Sequence, residues 1–180
     1  QSNLPYEQVL SKKMIRNMII KSFVEDKNSG FYSLWNKIYK KKFLYDYSLF
    51  LDESRSHGED WLFNINAFNY ANNVIFLGKT LYHYVQINEF SLMRTYRTNQ
   101  IDLLFSGRKA LIHVLKENDI SIDDSIFNNK FIYTFYSYVI KEIINNHNDY
   151  KEKIMNYLKN DYLNNIVHNV SNLPTHLKIM

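Results

Sequence analysis

The chain has 180 residues, a net charge of +4, 46% hydrophobic and 16% aromatic content, and no cysteine. This composition excludes a disordered chain and any disulfide or thiolate site. Four Gly and two Pro are too few for the Gly-rich turns of a complete doubly wound nucleotide-binding domain. The small positive excess suits anionic partners such as a nucleotide diphosphate, a lipid diphosphate or a membrane surface; with no basic stripe or nucleic-acid motif beside it, it does not point to nucleic acid.

Pro5 is compatible with a helix start, because its missing N–H is not needed in the first turn. Val9, Leu10, Met14, Ile15, Met18 and Ile19 follow at helical spacing, with Lys12, Lys13, Arg16 and Lys21 between them. Asn28-Ser29-Gly30 is the stop signal. Residues 31 to 37 are short and aromatic and suit an extended segment or turn, and Ile38 to Leu44 a short helix. Leu51 to Gly58 reads as a loop. From Glu59 onward, Trp61, Leu62, Ile65, Phe68 and Ala71 keep helical spacing, with two acids in the first turn, where the helix dipole favours them. Val74 to Leu77 and Thr80 to Val85 flank Gly78-Lys79 and predict a small hairpin.

Beyond Thr98 the character becomes wholly helical. Ile101, Leu104, Phe105, Leu111, Ile112 and Leu115 form one stripe. Asp123-Asp124 cap a long helix over roughly 125 to 146, apolar nearly all round between Phe131 and Ile144 and so expected to lie deeply buried, with Tyr133, Tyr136 and Tyr138 in the core. Two shorter helices follow, near 149 to 159 and 161 to 170. The longest apolar run, Phe131 to Ile140, falls short of the about 20 residues that a membrane-spanning helix takes, and lysines interrupt the first apolar stretch, so no signal peptide is read. The expectation is a soluble, cytoplasmic chain, peripheral to the inner face of the membrane if it touches one. The fold expected is mainly α with a small β element. Because residue 1 is Gln, a fragment of a longer protein is also expected.

Glu59 and Asp60 carry the most chemistry. A carboxylate fixed at a helix start can take a proton from a hydroxyl nucleophile, as sugar transfer requires when the anomeric carbon acquires oxocarbenium character. Ordinary helix-start acids are the plain alternative. Gly58 permits close approach, and Trp61 offers a flat apolar face that could pack on a sugar ring. The three-lysine run Lys40-Lys41-Lys42 is either a solvated face or a contact for anionic lipid headgroups or a lipid-diphosphate acceptor. The six histidines are scattered without ligand spacing, so no zinc site is expected.

Trp35-Asn36-Lys37-Ile38-Tyr39, Glu59-Asp60-Trp61-Leu62-Phe63, Tyr82-His83-Tyr84 and Ser91 with Arg94 follow one another along the chain. In that order they resemble the C-terminal half of bacterial family 2 glycosyltransferases of the GT-A type, over about residues 31 to 97. The resemblance implies that residues 1–97 form the acceptor-side end of a GT-A α/β domain and residues 98–180 a helical C-terminal extension. It implies transfer of a sugar from a nucleotide-sugar to a glycan or lipid-linked acceptor, in surface polysaccharide synthesis. Asp60 would be the general base, with Glu59 its rival or helper. Trp35, Asn36 and Lys37 would line the acceptor or diphosphate side, and His83 or Arg94 would reach the departing diphosphate. The family's Asp-x-Asp triplet is missing, so Mg²⁺ or Mn²⁺ is expected only in a full-length enzyme, and the chain alone is expected to be inactive. The rival expectation is a non-enzymatic helical module that binds a partner protein or a membrane surface.

Overall fold

The computed structural model describes residues 4–25, 28–83, 96–145 and 150–170. They are mainly helical, with one two-stranded antiparallel sheet. The chain divides into two compact units. The first comprises Gln1–Met93 with Lys109–Ser121, and the second Arg94–Arg108 with Ile122–Met180.

In the first unit, β1 (Val9–Leu10) pairs with β2 (Val74–Ile75) in the register Val9↔Ile75 and Leu10↔Val74. Two sequence expectations are corrected here. No helix starts at Pro5: Val9 is 58% exposed and Leu10 fully buried, the two-residue alternation of a strand, and the Glu7 N–H bonds the Phe76 carbonyl at 2.8 Å. Nor do residues 74–77 form a hairpin with the segment that follows. Their partner is the distant N-terminal strand, residues 80–83 have no strand, and Tyr84 and Val85 lie outside the described residues. A strand pairing across more than sixty residues leaves no local turn signal to read.

Ser11, in extended conformation, is followed by a continuous helical stretch: α1 (Lys12–Met14), a π-helix (Ile15–Ile20) and α2 (Lys21–Glu25). A π turn closes i→i+5 hydrogen bonds and so advances less per residue than an α turn. Ile15, Ile19, Ile20, Phe23 and Val24 consequently all reach the core. Phe23 meets Tyr32, Trp61 and Phe68, with ring centroids at 4.9, 5.5 and 6.2 Å. A 3₁₀ turn (Ser29–Phe31) then leads to α3 (Lys41–Asp46) and α4 (Glu59–Tyr70). Phe43 and Leu44 of α3 pack with Leu34 and Tyr39 on Leu49, Phe63 and Ala67.

The last 3 elements follow α5 (Gln100–Glu117), which passes from the second unit into the first after Arg108. They are α6 (Asp124–Ile144), α7 (Tyr150–Leu158) and α8 (Asp161–His168). The Asp123 side chain caps α6 by accepting from the Ser125 and Ile126 N–H groups at 2.8 and 3.3 Å, the role read from sequence. In the second unit Ile101, Phe131, Ile132, Phe135, Val139, Leu163 and Ile166 form the core. α6 is not buried all round as expected: Tyr133, Ile143 and Ile144 stand exposed, while Tyr136 and Tyr138 pack partly buried against the core. One stripe of α6 suffices to meet its neighbours, and hydrophobicity on the opposite side does not force burial.

Arg108 is buried in this unit. Its Nε donates to the Tyr162 hydroxyl at 3.0 Å, and its two terminal nitrogens donate to the Phe127 carbonyl and to Asn128 Oδ1 at 3.3 and 2.5 Å. The guanidinium lies 3.9 Å from the Phe127 ring centroid and 4.8 Å from that of Phe131. Burial lowers its pKa, and Tyr162 partly offsets this. The planar fork thus joins α5, α6 and α8 by hydrogen bonds and ring contact at once. Arg108→Ala is expected to cost about 3 kcal/mol, because it strips charged hydrogen bonds from buried acceptors. Arg108→Lys should recover only a minor part, since a compact ammonium cannot reproduce the planar fork that reaches Tyr162, Phe127 and Asn128 from between two rings. Urea unfolding followed by circular dichroism measures both.

Candidate functional site

α4 begins abruptly. Gly58 takes the left-handed backbone at φ +73°, which a side chain would strain, and its carbonyl accepts the Leu62 N–H at 3.0 Å. Glu59 and Asp60 therefore occupy the first turn, where the unpaired N–H groups of the helix favour negative charge. Both are half-buried.

One turn on, Asn64 is fully buried and uses both ends of its amide. Its Nδ2 donates to the Asp60 and Tyr32 carbonyls, each at 2.8 Å, and its Oδ1 accepts from the Tyr39 hydroxyl at 2.5 Å. These bonds fasten the first turn of α4 to residues 32–39. Tyr39 also sets its ring edge-on to Phe63 at 5.3 Å. Burial and then the Asp60 charge raise the Tyr39 pKa, so its hydroxyl remains a donor.

The Lys37 ammonium turns inward. It donates to the Gly30 carbonyl at 2.8 Å, to Asn36 Oδ1 at 2.8 Å and to the Ser33 carbonyl, and lies 6.0 Å from the Phe68 ring centroid. Burial lowers its pKa to about 8, while the Asp60 carboxylate pulls it back up. Asn36 Nδ2 donates to the same Gly30 carbonyl at 2.8 Å. The polar groups of Asn36 and Lys37 thus hold the 30–33 loop, whereas Trp35 faces outward and stacks on Tyr82 at 5.3 Å and 30°. His83, the next residue, is exposed. Trp61 meets Phe23 edge-on rather than standing clear of the core.

Of the residues singled out from sequence, Lys37 and Asp60 are electrostatically coupled, and Trp35 stacks on Tyr82. Arg94, Ser91 and Tyr84 lie outside the described residues. Sequence reasoning assigned no role to Tyr39 or Asn64. Tyr39 closes the first quoted motif, and Asn64 follows Asp60 by one helical turn, so both were within reach of a helical-face argument.

A depression of about 260 Å³ opens elsewhere in the first unit, lined by Tyr47, Phe50, Asn66, Tyr70, His113 and Glu117 among others. His113 and Glu117 pair at 3.4 Å, and Asn69 donates to Glu117 at 2.7 Å. Its walls come from segments far apart in sequence, which no local pattern announces. Among the described residues no three His, Asp or Glu side chains gather as a metal site, and no helix is long and apolar enough to cross a membrane. What the residues around α4 can do chemically is present the Asp60 carboxylate from the first turn of a helix, within electrostatic reach of the Lys37 ammonium. Comparison with protein-family models, curated proteins and solved structures gave no match.

Lys37 should titrate near pH 8 in the folded chain, against an ordinary 10.5. Between those values the unfolded chain holds a proton that the folded chain has released, so stability rises with pH across that window, and the cost of burying the charge is felt in full below it. In Asp60→Asn the Lys37 pKa is expected to fall further and that of Tyr39 to fall toward its ordinary value. Side-chain NMR titration measures both; unmoved titrations would uncouple Asp60 from the pair.

Proposed function

We propose that this chain is the acceptor-side part of a family 2, GT-A glycosyltransferase, with residues 98–180 as its helical C-terminal extension. The parent protein would transfer a sugar from a nucleotide-sugar to a glycan or lipid-linked acceptor at the cytoplasmic membrane face. The observation that carries this reading is the buried Asn64 amide, which bonds both the Asp60 carbonyl and the Tyr39 hydroxyl and so ties the Glu59-Asp60 motif to the Trp35–Tyr39 motif. The exposed Trp35–Tyr82 stack supports it, because such a ring pair offers a face for the C–H side of a sugar.

In this reading the Asp60 carboxylate takes the proton of the acceptor hydroxyl. The hydroxyl oxygen forms the new bond to the anomeric carbon, and the bond from that carbon to the donor's phosphate oxygen breaks, its electron pair leaving with the nucleoside diphosphate. Glu59 assists at the helix start. Asn36 and Lys37 shape the loop beneath the acceptor, Trp61 braces α4 from behind, and His83 or Arg94 would reach the departing diphosphate. A divalent cation, Mg²⁺ or Mn²⁺, would take its oxygen ligands from the remainder of the parent protein.

A second reading is favoured by the exposed apolar side chains of residues 38–51: a non-enzymatic module that binds a membrane surface or partner, in which Glu59 and Asp60 merely start α4.

Asp60→Asn in the full-length parent is expected to lower the transfer rate at least about a hundredfold with an unchanged circular dichroism spectrum. Undiminished turnover would remove Asp60 from the mechanism and leave the second reading. The 180-residue chain alone is expected to transfer nothing from UDP-sugars.

A further inference from the structure

The segment from Ile38 to Leu51 presents an unusual outer surface. Ile38 is 87% exposed, Phe50 65%, Tyr45 61% and Leu51 45%. The Lys41 ammonium lies 5.7 Å from the Tyr45 ring centroid, and Tyr45 meets Phe50 edge-on at 6.0 Å, so one cation and two rings form a contiguous patch. Lys40 and Lys42 flank it, both exposed. Residues 38–51 carry three lysines against one aspartate, and that aspartate, Asp46, is paired with Lys42 at 2.7 Å. The patch has firm backing, because Phe43 and Leu44 of the same helix pack inward against Leu49 and Phe63.

We propose that this surface docks on an anionic lipid bilayer, with Ile38, Tyr45, Phe50 and Leu51 entering the headgroup layer and Lys40, Lys41 and Lys42 meeting its phosphates. Rings and aliphatic chains with lysines beside them match the layered polarity of a membrane interface, where long basic side chains reach the headgroups while their stems lie along apolar surface. A cover of protein fits less well, since lysine is depleted in protein interfaces. Nucleic acid fits less well too, since it offers nothing to Ile38 or Leu51. The contact is peripheral, and it does not depend on the transfer reading, because Asp60 takes no part in it.

Co-sedimentation of the chain with vesicles of phosphatidylcholine, alone or mixed with phosphatidylserine, tests this. Binding is expected to the mixed vesicles, at least about tenfold tighter than to phosphatidylcholine alone and weakening as salt is raised. The triple variant Lys40→Glu, Lys41→Glu, Lys42→Glu and the double variant Ile38→Ser, Phe50→Ser should each lose at least about fivefold in partition with an unchanged circular dichroism spectrum. Asp60→Asn should bind as the parent chain does. Absence of binding, equal binding to both vesicles, or undiminished binding by either patch variant would overturn the proposal. So would a concentration-dependent dimer, abolished by the double variant, in sedimentation velocity, which would assign the patch to a second copy. Capture by soluble inorganic phosphate equal to that by vesicles would do the same, because it would reduce the contact to simple anion binding.

Discussion

The buried amide of Asn64 is the constraint on which the candidate site depends. A primary amide without partners in a protein interior is costly, and here every demand is met at once by the Asp60 carbonyl, the Tyr32 carbonyl and the Tyr39 hydroxyl. One side chain thereby fixes the first turn of α4 to the loop that precedes α3. The position of Asp60 relative to Lys37, and the separation of motifs that are distant in sequence, both follow from it. Phe23 also gathers the rings of Tyr32, Trp61 and Phe68, so Tyr32 and the first turn of α4 are joined through apolar contact as well as through those bonds.

Buried polarity recurs throughout the molecule. In the first unit Arg16 reaches Asn118 at 2.8 Å, Asn118 reaches Asn69 at 2.5 Å, and Lys12 donates to the Asn69 carbonyl. In the second, Glu142, nearly inaccessible to solvent, accepts from the Tyr96 hydroxyl at 2.6 Å and from Lys153 at 3.0 Å. Each unit is thus held by directional bonds as well as by its apolar core. Removing one partner from such a network strands the others, which makes these networks specific as well as stabilising.

Local signals were legible and distant ones were not. The start of α4 was written in Gly58 and the two acids, the cap of α6 in Asp123, and the stripe of α5 in its apolar spacing. The pairing of Val9–Leu10 with Val74–Ile75 was hidden because two residues are too few to display a strand period, and Val9 and Leu10 fit a helical stripe equally well. The outer side of α6 was overestimated as core because periodicity reports hydrophobicity, not the neighbours available to cover it. Asn64 was passed over because an amide among Phe63, Ile65 and Phe68 reads as outward-facing until its three partners are seen. The coupling of Lys37 to Asp60 required the fold itself, although both residues stood in motifs already marked.

The wide turn at Ile15–Ile20 carries a further meaning. Because it winds more slowly than its flanks, it acts as a phase correction: the residues after it, Phe23 above all, meet their aromatic neighbours only while that extra slack is present. Loss of a single residue there would not merely shorten the stretch. It would re-index the downstream side chains, swinging Phe23 away from Trp61 and leaving the back of α4 without its wedge, so the tolerance of this stretch to length change should be far lower than its tolerance to swaps among similar apolar residues.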